Sequence, residues 1–82
     1  MIAPEEVVDG LLPAYDELFA RSGLVASKSA ARRTIEEGGA YVNNVRVQDP
    51  TGQPATRDLH HGTWLVLRRG KKAFAGVRIG SA

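Results

Sequence analysis

The strongest constraint on the fold lies in residues 27–47, where a helix start, a helix stop and a hairpin turn follow one another. Ser27 can accept a hydrogen bond from an amide of the first helical turn. Gly38 can take the left-handed conformation that ends a helix. Asn43 and Asn44 tolerate the positive φ angles that a type I′ turn needs at both central positions. The pattern predicts one helix followed directly by a tight hairpin.

The two-residue turn also predicts the register of this hairpin. One face carries only small or β-branched apolar residues, which we expect to be buried: Ala40, Val42, Val45 and Val47. Tyr41 and Arg46 face each other on the open side. Two interpretations of this pair stay open. The ring and the guanidinium either stack on a base or bind phosphate, or they form a plain cross-strand cation–π pair.

The predicted helix carries charges that its own stability does not explain. Lys28 and Arg32 lie four residues apart, where like charges repel each other. Lys28 in the first turn also opposes the helix dipole, as do the two glutamates in the last turn. One interpretation is a solvated face on which Arg32 pairs with Glu36 and Arg33 pairs with Glu37. The other is a face that binds anions.

Positive charge is concentrated behind an acidic beginning. Residues 1–17 contain five acids and no Lys or Arg, whereas residues 18–82 contain all eleven bases and four acids and therefore carry +7. A basic body favours a polyanionic partner, although solubility alone also explains modest basicity. With 82 residues, the chain can form one small domain and is too short for a conventional two-lobed enzyme.

A further helix is predicted before the cationic one. Pro13 can open it, and Gly23 can end it in the left-handed conformation. Its apolar stripe consists of Ala14, Tyr15, Leu18 and Phe19. Because the connection is short, the two helices must pack against each other. We interpret residues 1–10 as a linker or short N-terminal helix and residues 11–82 as the domain.

A second hairpin is predicted from two β-rich runs, residues 63–67 and 73–79, with Gly70 at the turn between them. Four cations crowd this turn: Arg68, Arg69, Lys71 and Lys72. A phosphate-rich partner would explain why like charges are placed together. The alternative is a solvated turn that keeps a sheet edge from aggregating.

The sequence leaves the buried face of this second hairpin open, because either Leu65 and Leu67 or Trp64 and Val66 could point inward. The large ring of Trp64 favours a position in the core over a role as a base-stacking platform. Residues 48–58 contain two prolines and a glycine and are predicted to form a surface loop. The predicted fold class is α+β, with two short packed helices followed by a small antiparallel sheet of two hairpins.

Several classes of function find no support in the sequence. Paired carboxylates, a Ser/His/Asp arrangement and a phosphate-binding glycine loop are not recognisable, so we expect no catalytic residues. The chain has no cysteine, and the adjacent His60 and His61 lack nearby carboxylates, so we expect neither a metal nor a cofactor. No apolar run approaches a membrane span and no signal peptide is recognisable, so we expect a cytoplasmic protein.

Half of the chain resembles a known family. The residues that carry the resemblance are Leu18, Gly23, Leu24, Ser27, Lys28, Ser29, Ala31, Arg32, Ile35, Gly38, Val42 and Asn43. They are similar to the signature of the alpha-L RNA-binding domain, which is named for the fourth protein of the small ribosomal subunit. The family usually has arginine at the position of Lys28 and glycine at that of Asn44. Lysine lacks the bidentate phosphate geometry of arginine, and Asn44 adds a side chain to the turn.

The rest of the chain narrows this resemblance. Residues 41–43, 64–72 and 77–78 resemble the end of a bacterial tyrosyl-tRNA synthetase, so that the likeness runs from about residue 11 to residue 79. The resemblance implies a non-catalytic C-terminal domain that holds the tRNA for tyrosine at the elbow between its anticodon stem and long variable arm. A catalytic domain outside this chain would then be its second partner and perform the aminoacylation.

Twelve residues are predicted to bind RNA. The resemblance implies Lys28, Ser29, Arg32, Asn43 and Asn44. Charge placement and the open hairpin face add Arg33, Tyr41, Arg46, Arg68, Arg69, Lys71 and Lys72. Such a surface would read phosphates and helical shape more than base edges. Because Arg32 is expected to be exposed, Arg32→Glu should weaken RNA binding about tenfold or more while hardly changing the melting temperature.

Two alternatives to a synthetase domain remain. A stand-alone alpha-L protein of ribosome rescue or RNA modification would use the same surface. From another class, the chain could be a protein-interaction or dimerisation module that uses the Trp64 hairpin as its contact patch. For the isolated domain we expect a monomer.

Overall fold

A computed structural model describes residue 2, residues 4–60 and residues 64–78. Two helices, α1 (Tyr15–Ser22) and α2 (Lys28–Glu36), are followed by β1 (Ala40–Val42), β2 (Val45–Arg46), β3 (Trp64–Arg69) and β4 (Ala73–Arg78). The two predicted hairpins join through β1 and β3 into one antiparallel sheet with the order β2-β1-β3-β4. The predicted α+β class is therefore confirmed. The predictions for His61, Thr63 and Ile79 lie outside the described residues.

Helix α1 begins at Tyr15, two residues later than Pro13 predicted, because Ala14 has extended backbone with ψ of 155°. A loop distant in sequence binds the free amides at this end of the helix. The Tyr15 amide donates to the carbonyl of Gly52 at 2.9 Å, and that of Asp16 to the carbonyl of Pro50 at 3.0 Å. Residues 48–58 thus form more than the predicted surface loop, since they complete the start of α1.

The predicted caps of the helices are confirmed. The Ser27 hydroxyl accepts a hydrogen bond from the Ala30 amide at 3.1 Å, as an N-cap serine should. Gly23 and Gly38 follow α1 and α2 with φ of 83° and 79°, the left-handed conformation that glycine adopts without strain. These local signals fix where the chain reverses between the helices and where it enters the sheet.

The β1–β2 hairpin has the predicted register, with Val42 opposite Val45. Asn43 and Asn44 have φ of 51° and 67°, as the type I′ turn requires. The expectation that Val45 is buried is wrong, because 69% of this residue is exposed. Strand β2 forms the edge of the sheet, and the hydrophobic core does not extend beneath Val45.

The structure also decides which face of the second hairpin is buried. Leu65 and Leu67 are fully buried in the same core as Leu18 and Phe19 of α1, whereas 38% of Trp64 is exposed. The prediction of Trp64 in the core is therefore wrong. Side chains alternate along a strand, so the two leucines of β3 direct Trp64 and Val66 to the opposite face. The buried apolar residues are Ile2, Leu12, Leu18, Phe19, Val25, Ala31, Ile35, Ala40, Val42, Val47, Leu59, Leu65, Leu67 and Val77.

The beginning of the chain contacts the body of the domain. Ile2 is buried, and its amide donates to the carbonyl of Arg78 at 2.7 Å. A 3-10 turn, Pro4–Glu6, brings the Glu6 carboxylate to the Arg21 guanidinium with contacts of 2.6 and 3.1 Å. The carboxylate raises the pKa of Arg21 further above its ordinary value. The division into a lead-in of residues 1–10 and a domain of residues 11–82 stays a prediction.

The Asn43 side chain ties the β1–β2 turn to the rest of the protein. Its amide nitrogen donates to the carbonyl of Asp58 at 2.6 Å, and its oxygen accepts from the Val66 amide at 3.1 Å. Asn44 has an exposed side chain, and it makes no such bond to the described residues. The two adjacent asparagines thus share a backbone conformation and differ in their contacts.

This difference predicts opposite effects of two neighbouring substitutions. Asn43→Ala should lower the free energy of unfolding by about 2 kcal/mol, because it removes both hydrogen bonds and puts alanine at positive φ. Asn44→Gly should leave stability unchanged or raise it slightly, since glycine suits the same φ. Urea unfolding followed by circular dichroism measures both, and equal midpoints for the two variants would contradict this role of Asn43.

Candidate nucleic-acid interface

Helix α2 presents one apolar side to the core and one polar side to solvent. Ala31 and Ile35 are buried, and each successive residue turns by about 100° around the axis. The four predicted RNA-binding residues of this helix are all exposed: Lys28, Ser29, Arg32 and Arg33. The helix therefore carries its predicted polar face, although its two arginines have different surroundings.

A groove of about 740 Å³ separates α2 from the turn between β3 and β4. Four predicted cations line it: Arg33, Arg69, Lys71 and Lys72. Glu37 is the acid among its described lining residues. The carboxylate salt bridges of lysines and arginines in the described part of the chain involve Arg21 and Arg32, so all four groove cations are free of such pairs.

Two hydrogen bonds to backbone carbonyls hold the two walls of this basic groove together. The Gly70 amide donates to the carbonyl of Gly39 at 2.8 Å, which joins the β3–β4 turn to the segment after α2. The Arg69 guanidinium donates to the carbonyl of Leu24 at 2.8 Å, in the turn between the helices. The sequence did not predict these two contacts. Both join residues far apart in the chain through a backbone carbonyl, and the identity of a residue does not reveal which distant group its carbonyl will bind.

Arg46 lies at the end of α2, next to the basic groove. A Cβ on Gly38 would come within 3.1 Å of Cζ of Arg46, so the guanidinium packs against the bare glycine. A cation at this position is favourable, since the carboxyl end of a helix carries partial negative charge. Glycine at position 38 thus serves both the left-handed turn and the placement of Arg46.

Arg32 is bound within the protein. Its Nε donates to Oδ2 of Asp16 at 2.8 Å, and only 2% of the Asp16 side chain is exposed. The described residues contain neither of the predicted pairs of Arg32 with Glu36 and of Arg33 with Glu37. About half of the Arg32 side chain, 52%, stays exposed. The expectation that Arg32→Glu leaves stability almost unchanged assumed a solvated Arg32, and the ion pair with buried Asp16 contradicts that assumption.

Tyr41 pairs with a different arginine from the one predicted. Arg46 lies opposite it in the register as expected, but Cζ of Arg68 is 4.0 Å from the centroid of its ring. Tyr41 lies opposite Arg68 because β1 also pairs with β3. The hairpin alone could not reveal this second neighbour, so the predicted Tyr41–Arg46 cation–π pair is replaced by Tyr41–Arg68.

The twelve predicted residues do not form one cluster. The Gly38–Gly39 end of α2 gathers Arg33, Arg46, Arg69, Lys71 and Lys72. Lys28, Ser29 and Arg32 lie earlier on α2, and Tyr41 and Arg68 lie on the sheet. Asn43 and Asn44 lie at the opposite end of β1, where the Asn43 side chain bonds within the protein. The part of all twelve residues in RNA binding stays a prediction.

Other kinds of site are not found in the described residues. They contain no group of three or more His, Cys, Asp or Glu side chains that could hold a metal ion. Among them, no helix has both the length and the apolar content needed to cross a membrane. The described structure therefore defines a small α+β domain whose candidate site is a basic groove.

Comparison with known proteins identifies the family. Residues 13–77 match the model of the tyrosine–tRNA ligase SYY-like C-terminal domain. The chain is 65% identical over 66 residues to a tyrosine–tRNA ligase of Streptomyces coelicolor, which covers 80% of this chain. It is 58% identical over 73 residues to that of Corynebacterium diphtheriae, which covers 89%. The chain belongs to the family of SYY-like C-terminal domains of tyrosine–tRNA ligases.

The match involves a small part of each relative. The aligned residues make up 16% of the Streptomyces coelicolor ligase and 17% of the Corynebacterium diphtheriae ligase. The alignment with the ligase of Streptomyces griseus covers 94% of this chain and 18% of that protein. The chain thus spans about a sixth of the length of these relatives, in the region of the C-terminal domain.

The ion pair at Arg32 predicts a contrast between neighbouring arginines. Arg32→Glu should lower the free energy of unfolding by about 2 kcal/mol, because it puts a second carboxylate beside buried Asp16; half-exposure of Arg32 limits the loss. Arg33→Glu makes the same charge change on the same helix without touching a buried acid, so stability should hardly change. Urea midpoints decide the matter, and a loss of stability in Arg33→Glu as large as in Arg32→Glu would refute the assigned role.

Proposed function

We propose that this domain holds structured tRNA as the RNA-binding part of a tyrosine–tRNA ligase, while a catalytic domain outside this chain performs aminoacylation. The observation that carries the proposal is the basic groove, where Arg33, Arg69, Lys71 and Lys72 meet with a single acid. Cations without carboxylate partners on a rigid surface are suited to the phosphates of a nucleic acid.

The groove favours recognition of backbone and shape over base sequence. Its walls are an α-helix and a strand turn joined by the Gly39–Gly70 hydrogen bond, so the cations keep a fixed spacing. Arginine and lysine at fixed positions contact phosphates, whereas the deep major groove of an RNA helix hides its base edges. The domain would therefore select an RNA by the path of its backbone.

The names of the relatives support tRNA for tyrosine as the RNA. Each of the three relatives is a tyrosine–tRNA ligase, and the family resemblance points to the elbow between anticodon stem and long variable arm. In this proposal the partners are that tRNA and the catalytic domain of the parent ligase, in translation in the cytoplasm. The isolated domain acts as a monomer.

A double substitution in the groove tests the proposal. Lys71→Ala with Lys72→Ala should weaken binding of tRNA for tyrosine about tenfold or more and make the slope of log affinity against log salt shallower by about 2. Unaltered protein that neutralises about five phosphates should have a slope near −4. Fluorescence anisotropy of labelled tRNA at several salt concentrations measures both quantities.

Arg57→Ala is the control for this experiment, and it removes one positive charge where the double variant removes two. Arg57 is an exposed cation next to Asp58, which bonds the Asn43 turn at the end of β1 away from the groove. Removing it should change affinity less than twofold or so, because it contacts none of the proposed phosphates. If Arg57→Ala weakens binding as much as the double variant, general charge and not the groove binds the RNA, and the proposal fails.

The choice of RNA can be tested separately with two tRNAs. The tRNA for tyrosine, with its long variable arm, should bind several times more tightly than a tRNA with a short variable arm at equal salt, since only the former has an elbow between its anticodon stem and a long variable arm. A gel shift with both tRNAs in one titration gives the ratio. Equal binding would argue against recognition of the elbow.

A further inference from the structure

The side of the sheet facing away from the helices, termed here the outer face, combines rings and arginines. Its members are Tyr41, Arg46, Trp64, Arg68, Phe74 and Arg78. Arg46, Tyr41, Arg68 and Phe74 lie opposite one another across the four strands, and Trp64 lies opposite Arg78. Because directly paired residues point to the same side, the register alone places these side chains on one surface.

Two large rings of the outer face are open to solvent. Phe74 is 58% exposed and Trp64 is 38% exposed. Gly76 lies beneath the indole, since a Cβ there would come within 3.1 Å of Cε3 of Trp64. Any side chain at position 76 would displace the ring, so Trp64 packs on bare backbone. The strand supports the indole from below and leaves much of the ring accessible.

The charge of the outer face is positive. Arg68 and Arg78 belong to it, and Arg46 lies at its edge with its guanidinium against Gly38. None of the four strands, as the structure describes them, contains Asp or Glu. Nε of Arg68 is buried without a hydrogen-bond partner while its guanidinium lies over Tyr41. The protein thus accepts an unpaired donor to hold this cation over a ring.

We propose that the outer face binds unpaired nucleotides of the RNA, whose bases stack on Trp64 and Phe74 and whose phosphates contact Arg68 and Arg78. The combination of exposed rings and cations is suited to single-stranded nucleic acid, because every base has a stacking surface and every linkage has a charge. An apolar protein partner would not account for arginines on strands that, as described, contain no acid.

The outer face continues from the basic groove. Arg68 and Arg69 are consecutive residues of β3 and therefore point to opposite sides of the sheet. Arg69 lines the groove, and Arg68 belongs to the outer face. An RNA helix held in the groove can thus pass an adjoining unpaired segment around the β3–β4 turn. In this form the inference rests on the proposed function and extends it to a second part of the same RNA.

The spacing of the rings sets the length of the bound segment. Phe74 lies opposite Arg68, and Arg68 is four residues from Trp64 along β3. At a rise of about 3.3 Å per residue, the two rings are about 13 Å apart along the strand. One nucleotide cannot cover both rings, so the site takes a segment of several nucleotides.

Trp64 provides its own assay, since it is the one tryptophan of the 82-residue chain. Titration with a single-stranded hexamer of adenylate should quench its fluorescence, and adenosine monophosphate should do so much more weakly. Phe74→Ala should weaken hexamer binding about tenfold, the effect of losing one stacked base. Val45→Ala removes an exposed apolar side chain from the other side of the sheet and should leave binding unchanged.

The two proposals fail in different ways. Lys71→Ala with Lys72→Ala should reduce tRNA binding while the hexamer still quenches Trp64; absence of quenching by the hexamer, with tRNA binding intact, overturns the outer face alone. Equal effects of Phe74→Ala and Val45→Ala would also overturn it. A change in Trp64 emission with protein concentration, or on adding the catalytic part of the ligase, without any effect of the hexamer, would identify a protein interface instead.

Discussion

The ion pair between buried Asp16 and Arg32 determines how the two helices are placed. Both carboxylate oxygens are bonded, Oδ1 to the Glu17 amide at 2.7 Å and Oδ2 to Arg32, and the Asp16 amide reaches Pro50. A buried carboxylate without its partner is strongly destabilising, so α1, α2 and the loop of residues 48–58 must come together. Because Arg32 turns towards α1, Arg33 is rotated about 100° away and faces the groove. One acid thereby holds Arg32 in an ion pair, whereas Arg33 lines the groove without a carboxylate partner among the described residues.

The acidic beginning of the chain has an internal function. Glu6 and Glu17 both bind Arg21, and Asp16 binds Arg32, so three of the five acids in residues 1–17 neutralise cations of the basic body. The cations around the β3–β4 turn have no such partner in the described residues. In the sequence, acids and bases are simply concentrated in different parts of the chain. In the structure as described, acids of residues 1–17 pair with some of the cations and leave those around the β3–β4 turn unpaired.

Features determined by neighbouring residues could be predicted from the sequence. Ser27, Gly38 and the Asn43–Asn44 turn act through local backbone geometry, and each is found as expected. Features that depend on distant segments could not be predicted in this way. The start of α1, the exposure of Trp64 and the ring that holds Arg68 all require knowing that a loop or a second strand lies alongside. Asp16 did give a signal, because it lies three residues before buried Phe19 on the same helical face.

The hydrogen bond from Gly70 to Gly39 makes the basic groove a surface whose width is set before any ligand arrives. A preformed cleft loses little conformational entropy on binding, so more of the electrostatic attraction becomes affinity. Fixed width also acts as a gauge: a polyanion whose phosphates are spaced to meet both walls gains contacts on each, whereas a wider or narrower one gains contacts on a single wall. In the proposed function, the two glycines, which have no functional groups of their own, would thus contribute to discrimination between anions.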